Sequence, residues 1–309
     1  MRSIASSLLV ATVLACAAPA VAQDGSFVSG GLPIYYRTQG TGGPVVLLSG
    51  GPGFEVDYML PVADFLPARQ KILLEQRGTG RSRPAKFNAD DFTLRAVVQD
   101  IESLREHLKQ ERLFLVGHSW GGMLALAYAA AHPDRIDRLI LIGSGGPTLE
   151  FAGWFNDNIH MRLRPEDEQV QEYWKDAAKH GVSAEKVAIE SIRAILPGYF
   201  FDRAKALAFG SQLTEATYHP DVNTALFADL GKSYDVRQGL RALDRPVLIL
   251  AGHQDPIGDK TSEDLHSLIK SSTLVYLNKC GHFPWLEEPD AFRRAIAGFM
   301  EGPTGSSSR

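Results

Sequence analysis

The chain is poor in cysteine and carries no strong excess of either charge. Two of its 309 residues are cysteine, Cys16 and Cys280, which excludes a fold held together by several disulfides. The 32 Lys and Arg residues nearly balance the 36 Asp and Glu residues, so the formal net charge is −4. Such a balance predicts no nucleic-acid partner and no attraction to an anionic membrane surface.

The common signatures of nucleotide and metal binding are also missing. The glycine-rich loop at 50–53 lacks the Lys-Ser/Thr pair of a P-loop. No G-x-G-x-x-G opens a helix after a strand, as dinucleotide binding would require. No spacing of His, Cys and Asp is typical of a metal site. We therefore expect neither a cofactor nor a metal.

The apolar stretch near the start of the chain is short for a membrane span. It follows Arg2, covers residues 8–15 and ends before an A-x-A pattern at 20–22. This arrangement predicts a signal peptide over residues 1–22, and therefore export to the periplasm or the medium. Cys16 ends a stretch that also fits a lipobox, so a lipid anchor through this residue is the alternative. Membrane contact is expected only in that case.

The rest of the chain alternates short apolar runs with helical patterns. A helix is predicted over 94–108, with Thr93 as its N-cap, and another over 291–300. Strands are predicted at 32–37, 45–48, 72–75, 113–116, 138–142, 247–250 and 274–277. Alternation of this kind predicts an α/β fold, with a mainly parallel sheet covered by helices on both faces.

Residues 148–235 interrupt this alternation. They are mostly helical in pattern and rich in aromatic and acidic residues. We interpret them as a helical cap inserted into a core formed by residues 23–147 and 236–300. The final residues, 301–309, are rich in glycine and serine, which predicts a disordered tail.

The pentapeptide Gly-His-Ser-Trp-Gly at 117–121 lies between a predicted strand and a predicted helix. The pattern G-x-S-x-G is weak evidence by itself, but in this context it indicates a nucleophile elbow. Gly117 and Gly121 leave room for a very tight turn, and such a turn holds the hydroxyl of Ser119 in the open. We therefore predict that Ser119 is a catalytic nucleophile.

A serine hydroxyl needs a base within hydrogen-bonding reach, and the base needs an acid to orient it. Asp255 directly follows the strand predicted at 247–250, and His282 follows the last predicted strand. The carboxyl ends of parallel strands meet at one edge of a sheet, so both should lie near Ser119. Asp255 is predicted as the acid, with Asp259 in reserve, and His282 as the base.

Two further histidines and one cysteine lie near these residues in sequence. His118 precedes the nucleophile at a sharp turn and is interpreted as packing, whereas His253 is expected to line the mouth of the site. Cys280, next to the histidine loop, is interpreted as buried packing. The loop at 75–82 is interpreted as an arginine–carboxylate anchor that serves the structure.

An oxyanion hole needs two N–H groups that point to where negative charge develops. The first is predicted to be the backbone N–H of Trp120, which follows the nucleophile. The second is assigned to Gly51, in the glycine-rich loop after the strand at 45–48. Glycines in that loop would let the backbone approach a substrate closely.

Together these segments resemble the α/β-hydrolase superfamily, specifically its proline iminopeptidase-like (prolyl aminopeptidase) branch. The resemblance covers roughly residues 30–147 and 236–300. It rests on the Gly-Gly-Pro-Gly at 50–53, the Gln-Arg-Gly-Thr-Gly-Arg-Ser at 76–82, the Gly-His-Ser-Trp-Gly-Gly at 117–122, Gly252 with Asp255, and Gly281 with His282. It implies an α/β-hydrolase fold with an inserted cap and the roles predicted above.

The chain departs from the family pattern at two positions and in its cap. Ser49 stands where the family usually has histidine, and Glu75 where it often has aspartate. The family's peptidases hold the free amino terminus of the substrate with cap glutamates, often beside a tryptophan. None of the cap glutamates fits a family motif, and the substrate-binding residues therefore stay unknown. The candidates are Glu166, Glu168, Glu172 (near Trp174), Glu190 and Glu215.

The leading hypothesis is a serine hydrolase that cleaves a small-molecule or short-peptide substrate through an acyl-enzyme. An aminopeptidase of the proline iminopeptidase type comes first, and a carboxylesterase acting on small apolar esters is the alternative. A remote alternative is a non-catalytic, ligand-binding homologue. The cap separates the first two, because an aminopeptidase needs buried carboxylates for the substrate's ammonium group whereas an esterase needs an apolar lining.

Overall fold

The computed structural model describes residues 23–301. The predicted signal peptide, including Cys16, and the tail residues 302–309 lie outside the described residues and stay predictions. Glu301, assigned to the tail by sequence, is the last residue of a helix. In the part of the chain that is described, no helix is both long and apolar enough to cross a membrane.

The described residues contain eight strands, all in one sheet. They are β1 (Gln23–Ser29), β2 (Leu32–Gln39), β3 (Gly43–Leu48), β4 (Arg69–Glu75), β5 (Leu113–His118), β6 (Ile136–Ile142), β7 (Val247–Gly252) and β8 (Ser272–Leu277). Their order across the sheet is β1-β2-β4-β3-β5-β6-β7-β8. The pairs β1–β2 and β2–β4 are antiparallel, and the pairs from β4 through β8 are parallel.

Twelve α-helices accompany the sheet in residues 23–301. They are α1 (Leu60–Ala63), α2 (Leu94–His107), α3 (Trp120–Ala131), α4 (Ala152–His160), α5 (Pro165–Ala177), α6 (Ala184–Ile195), α7 (Arg203–Gly210), α8 (Pro220–Ser233), α9 (Arg237–Leu240), α10 (Asp259–Leu268), α11 (Pro284–Glu287) and α12 (Pro289–Glu301). The N-cap predicted for α2 is confirmed, since Thr93 Oγ1 accepts a hydrogen bond from the Ala96 N–H.

The central strands bury both of their faces. In β5, Leu115 belongs to the apolar cluster that contains α2 and α3, whereas Val116 belongs to the cluster on the other face, which contains α1 and α12. Successive strand residues point to opposite faces of a sheet, so continuous apolar runs are what such strands require. The predicted mainly parallel sheet with helices on both faces is therefore confirmed.

The chain between β6 and β7 adds no strand to the sheet. It forms the helices α4 to α8, with two isolated β-bridges that connect it to the core, Phe54 to Tyr218 and Thr148 to Asp235. The predicted inserted helical cap is thus confirmed as part of the fold. It lies over the end of the sheet at which β5, β7 and β8 terminate, because its residues line a cavity shared with the loops that follow these strands.

The loop after β4 is anchored by a buried ion pair. Arg77 Nη2 lies 2.5 Å from Asp100 Oδ1, on α2, and Arg77 Nε donates to Asp100 Oδ2 at 2.9 Å. Both side chains are almost fully buried. In the same loop Arg81 pairs with Glu75 at 2.7 Å. These contacts agree with the structural interpretation of the loop.

Replacing Asp100 by asparagine is expected to lower the free energy of unfolding by about 3–5 kcal/mol, because the buried guanidinium of Arg77 would lose its counter-charge. Urea denaturation followed by circular dichroism measures the change. The matched control is Asp264→Asn, which breaks an exposed ion pair with Lys260. It should lower the free energy of unfolding far less. Equal losses of unfolding free energy in the two variants would contradict the structural role of the buried Arg77–Asp100 pair.

Candidate active site

Ser119 lies at the turn between β5 and α3, with a backbone φ of +55°. A positive φ is unfavourable for a residue with a side chain, so the tight packing of the turn must enforce it. A Cβ on Gly117 would collide with the carbonyl of Gly121, and one on Gly121 with the carbonyl of Leu48. The two glycines therefore permit the strained turn that the sequence predicts.

His282 and Asp255 are joined in a buried pair. His282 Nδ1 lies 3.0 and 2.9 Å from the two carboxylate oxygens of Asp255, and both side chains are 4% exposed. Asp255 Oδ1 also accepts from the Ile257 N–H at 2.9 Å. An ionised carboxylate can only accept, so His282 donates from Nδ1, and Nε2 of the neutral ring is left free to accept a proton.

Ser119 and His282 line the same cavity. In the part of the chain that is described, no hydrogen bond joins the Ser119 hydroxyl to the His282 ring, although such bonds are often long before substrate binds. Asp259, the reserve acid, binds His253 Nδ1 at 3.0 Å instead. The structure thus brings Ser119, Asp255 and His282 together and leaves Asp259 out.

The predicted oxyanion donors are both free to bind a substrate. Gly51 and Trp120 line the cavity beside Ser119, and neither backbone N–H has an acceptor among residues 23–301. The neighbouring Gly50 N–H is already used, because it donates to the Tyr58 hydroxyl at 2.5 Å. This distribution supports the assignment of Gly51, rather than Gly50, as the second donor.

A buried amide connects the two oxyanion elements. Gln76 Nε2 donates to the Ser49 carbonyl at 2.9 Å and to Ser49 Oγ at 3.0 Å. The Trp120 indole N–H donates to Gln76 Oε1 at 3.0 Å. Ser49 Oγ in turn donates to the Phe54 carbonyl at 2.8 Å. The serine that replaces the family's usual histidine therefore holds the glycine-rich loop closed.

The cavity has a volume of about 370 Å³, within the usual range for small-molecule sites. Its ionisable side chains are the imidazoles of His118 and His282 and the phenols of three tyrosines, and no acidic, lysine or arginine side chain of residues 23–301 lines it. The aromatic and aliphatic lining comes from the core loops, α3 and the cap. It comprises Phe54, Tyr58, Trp120, Met123, Phe151, Phe155, Ile192, Ile195, Leu196, Tyr199, Phe209, Tyr218, Phe227, Ile257 and Phe283.

None of the cap glutamates considered as substrate ligands lines this cavity. Glu190 is half-buried but pairs with Lys186 at 2.8 Å and Arg193 at 2.7 Å. The remaining four are exposed to solvent: Glu166, Glu168, Glu172 and Glu215. None of these five candidates therefore lies where it could meet a substrate ammonium group in this cavity.

The structure also shows where the two other histidines and the cysteine singled out in the sequence lie. His253 stacks on Tyr276 at 4.5 Å and is not part of the cavity lining, so its predicted place at the mouth is wrong. His118 is buried, as expected of packing. Cys280 is fully buried, and burial raises the pKa of its thiol, which agrees with the packing interpretation.

Sequence reasoning missed the contacts through which the cap holds the catalytic loops. The His282 N–H donates to the Tyr199 carbonyl at 2.7 Å. Arg162 donates to the carbonyls of Gln254 and Phe200, and burial lowers the pKa of its guanidinium. No local motif marks these residues, because their partners are backbone carbonyls distant in sequence.

Gly143, after β6, was also missed. Its φ is +49°, and a Cβ there would lie 2.7 Å from Asp255 Oδ2 and 2.9 Å from His282 Nδ1. Only glycine leaves room for the acid–base pair at this point. The position of this glycine at the end of a predicted strand was a signal that could have identified it.

Comparisons with known proteins agree with this architecture. Residues 43–289 match the profile of a protein family whose description is "alpha/beta hydrolase fold". A proline iminopeptidase of Thermoplasma volcanium is 25% identical over 90% of this chain and 97% of its own length. A probable proline iminopeptidase of Leptolyngbya boryana is 31% identical, over 85% of this chain and 90% of its own.

A solved structure shows the same fold. The proline iminopeptidase of Mycobacterium smegmatis superimposes with a TM-score of 0.69 and 22% identity, covering 90% of this chain and 98% of that one. In the described residues, no group of three or more His, Cys, Asp or Glu side chains could hold a metal ion. From the matched profile, the relatives and the fold, the chain is a hydrolase that belongs to the alpha/beta hydrolase fold family, in its proline iminopeptidase-like branch.

Proposed function

We propose that the protein is a serine hydrolase that transfers an acyl group to water through Ser119. Ser119 Oγ attacks the substrate carbonyl carbon while His282 Nε2 takes the hydroxyl proton. The tetrahedral oxyanion accepts hydrogen bonds from the Gly51 and Trp120 N–H groups. His282 then gives its proton to the leaving group, the bond to that group breaks, and an acyl-enzyme remains.

A water molecule completes the cycle. It attacks the acyl-enzyme carbonyl as His282 Nε2 removes one of its protons. The second tetrahedral intermediate collapses, and the proton returns to Ser119 Oγ as the carboxylic acid leaves. Throughout, Asp255 accepts from His282 Nδ1 and so stabilises the imidazolium. The buried Asp255–His282 pair beside the strained Ser119 is the observation that carries this proposal.

Within this chemistry the geometry favours neutral esters with an apolar acyl group. The cavity holds Ser119 and His282 among aromatic and aliphatic side chains, and the described part of the chain contributes no carboxylate to its lining. An ammonium group buried there would lose its hydration and find no counter-charge, which costs several kcal/mol. An apolar acyl chain would instead gain free energy from burial.

An aminopeptidase of the proline iminopeptidase type is the second candidate. It is favoured by the relatives of that name, one of which is 31% identical to this chain. It would require that the substrate's amino group bind neutral, or that it reach the carbonyl oxygen of Asn223 or a backbone carbonyl in the lining. Asn223 donates from Nδ2 to the Pro52 carbonyl, which leaves its own oxygen available.

Kinetics on p-nitrophenyl esters and aminoacyl arylamides test the two candidates side by side. For straight-chain esters from acetate to hexanoate, kcat/KM is expected to rise about fourfold per added methylene, the equivalent of about 0.8 kcal/mol of burial each. Prolyl and alanyl arylamides are expected to react far more slowly than the best ester.

N-acetylated arylamides provide the control for charge, since they lack the ammonium group. The aminopeptidase would be favoured by three results together. Prolyl arylamide would be turned over efficiently, N-acetylation would abolish this turnover, and kcat/KM for the esters would not depend on chain length. These results would reject the ester proposal.

A further inference from the structure

Three loops that meet at the cavity are connected by one chain of hydrogen bonds. The Gly50 N–H of the glycine-rich loop lies 2.5 Å from the Tyr58 hydroxyl. That hydroxyl lies 2.7 Å from His118 Nδ1, beside the nucleophile. His118 Nε2 lies 3.0 Å from the His282 carbonyl. These hydrogen bonds thus join the oxyanion loop, the nucleophile elbow and the loop of the catalytic base.

The direction of every bond in this chain follows from its end groups. A carbonyl oxygen can only accept, so His118 must donate from Nε2 to His282. Burial lowers the pKa of His118 well below its ordinary value, and the neutral ring then has a lone pair on Nδ1. The Tyr58 hydroxyl donates to that lone pair, and its oxygen accepts from the Gly50 N–H.

This arrangement has two consequences for catalysis. The Gly50 N–H is held away from the substrate, and its attachment to Tyr58 fixes the orientation of the next peptide group, which carries the Gly51 N–H. The His118 ring lies 4.5 Å from the His282 ring. A neutral His118 at this distance holds the His282 backbone without repelling the imidazolium that forms during the reaction.

We propose that Tyr58 and His118 are positioning residues that keep the second oxyanion donor and the catalytic base in register with Ser119. This proposal rests on the proposed function, because it assigns both residues a part in the same acyl transfer. The alternative is that the two rings only pack, since His118 also contacts Phe283 and Trp285. Packing alone would affect stability and leave the chemical step unchanged.

The two interpretations are separated by Tyr58→Phe, which keeps the ring in the cavity and removes the hydroxyl. We expect kcat for p-nitrophenyl butyrate and the rate of fluorophosphonate labelling each to fall about tenfold or more, as for a small misplacement of reacting groups. KM should stay within about twofold. His118→Leu should behave similarly, and His118→Gln, which retains a donor for the His282 carbonyl, should recover part of the rate.

The double variant Tyr58→Phe, His118→Leu tests whether the residues act as one unit. Its loss in kcat should not exceed that of the worse single variant, whereas independent roles would multiply the losses. Tyr36→Phe is the matched control. It breaks another tyrosine–histidine bond, 3.0 Å long, to His107, in β2 outside the cavity, and should leave kcat unchanged.

Wild-type kcat and labelling rate in Tyr58→Phe would overturn the positioning role, and so would multiplicative losses in the double variant. A variant that does not fold is recognised because it lacks a thermal unfolding transition. The variants that do fold then decide between positioning and packing. If the wild-type protein is not labelled at all, the proposed function fails, and this result is distinct from a labelled wild type with unaffected variants.

Discussion

Ester hydrolysis by Ser119→Ala is expected to be about 10⁴- to 10⁶-fold slower in kcat than in the wild type, because the substitution removes the hydroxyl that is proposed to form the acyl-enzyme. The residual rate would come from the oxyanion donors and from binding alone. Ser119 is at the N-terminus of α3 with its side chain in the cavity, so alanine should fold normally. Steady-state kinetics with protein free of wild-type contamination measure the loss.

Ser144→Ala is the matched control for this substitution. Ser144 is a buried serine that follows β6 and donates to the Gly145 carbonyl at 2.8 Å, outside the cavity lining. The kcat of Ser144→Ala should remain near that of the wild type. Equal activity in Ser119→Ala and the wild type would reject the proposed nucleophile. Absence of ester and arylamide hydrolysis in the wild type itself would instead favour the hypothesis that the fold only binds a ligand.

Asp255→Asn is expected to lower kcat by about 10⁴-fold with little change in fold. The asparagine amide would donate to His282 Nδ1, which moves the ring proton to Nε2. Nε2 could then no longer accept the proton of Ser119. The fall should be concentrated in kcat, since Asp255 does not line the cavity. Kinetics on the best ester substrate measure it.

Asp259→Asn makes the same chemical change at the reserve acid. Asp259 binds His253 on the surface, so its removal should change kcat by no more than about twofold. A large loss in Asp259→Asn together with a small one in Asp255→Asn would exchange the roles of the two carboxylates. The pair of variants therefore tests the placement of the acid directly.

The central architecture was predictable because its signals are local. The parallel strands β5 and β7 are buried on both faces and appear in the sequence as unbroken apolar runs. Their predicted starts agree with the structure, whereas β4 begins three residues earlier than predicted. Residues 69–71 are polar and half-buried at the start of that strand, so hydrophobicity does not mark them. The strand β1 was missed for the same reason, since five of its seven residues are polar or glycine.

The order of Ser119, Asp255 and His282 was predictable because each follows a strand of one parallel sheet. The residues that hold them were not. Tyr58 lies in a short turn and His118 beside the nucleophile, and their partnership depends on how the loops fold over each other. Tyr199 likewise acts through a contact distant in sequence, with the His282 N–H, which no periodicity or spacing reveals. Only Gly143 had a local signal, its position at the end of a predicted strand.

The substrate preference depends on the orientation of the cap helices, which composition does not determine. Helix α6 carries both Glu190 and Ile192, yet Ile192 lines the cavity and Glu190 pairs with Arg193 outside it. The sequence therefore shows acidic residues in the cap without showing where they point. The apolar lining of the cavity is the reason why we propose an esterase ahead of an aminopeptidase.

Ser119 is proposed to be an activated nucleophile. Reaction of the native protein with a fluorophosphonate, followed by mass spectrometry of the digested adduct, tests this proposal. We predict one equivalent of label on the peptide that contains Ser119, and no label in Ser119→Ala or after prior unfolding. Label that persists in Ser119→Ala, or that is found on another residue of the native protein, would contradict it.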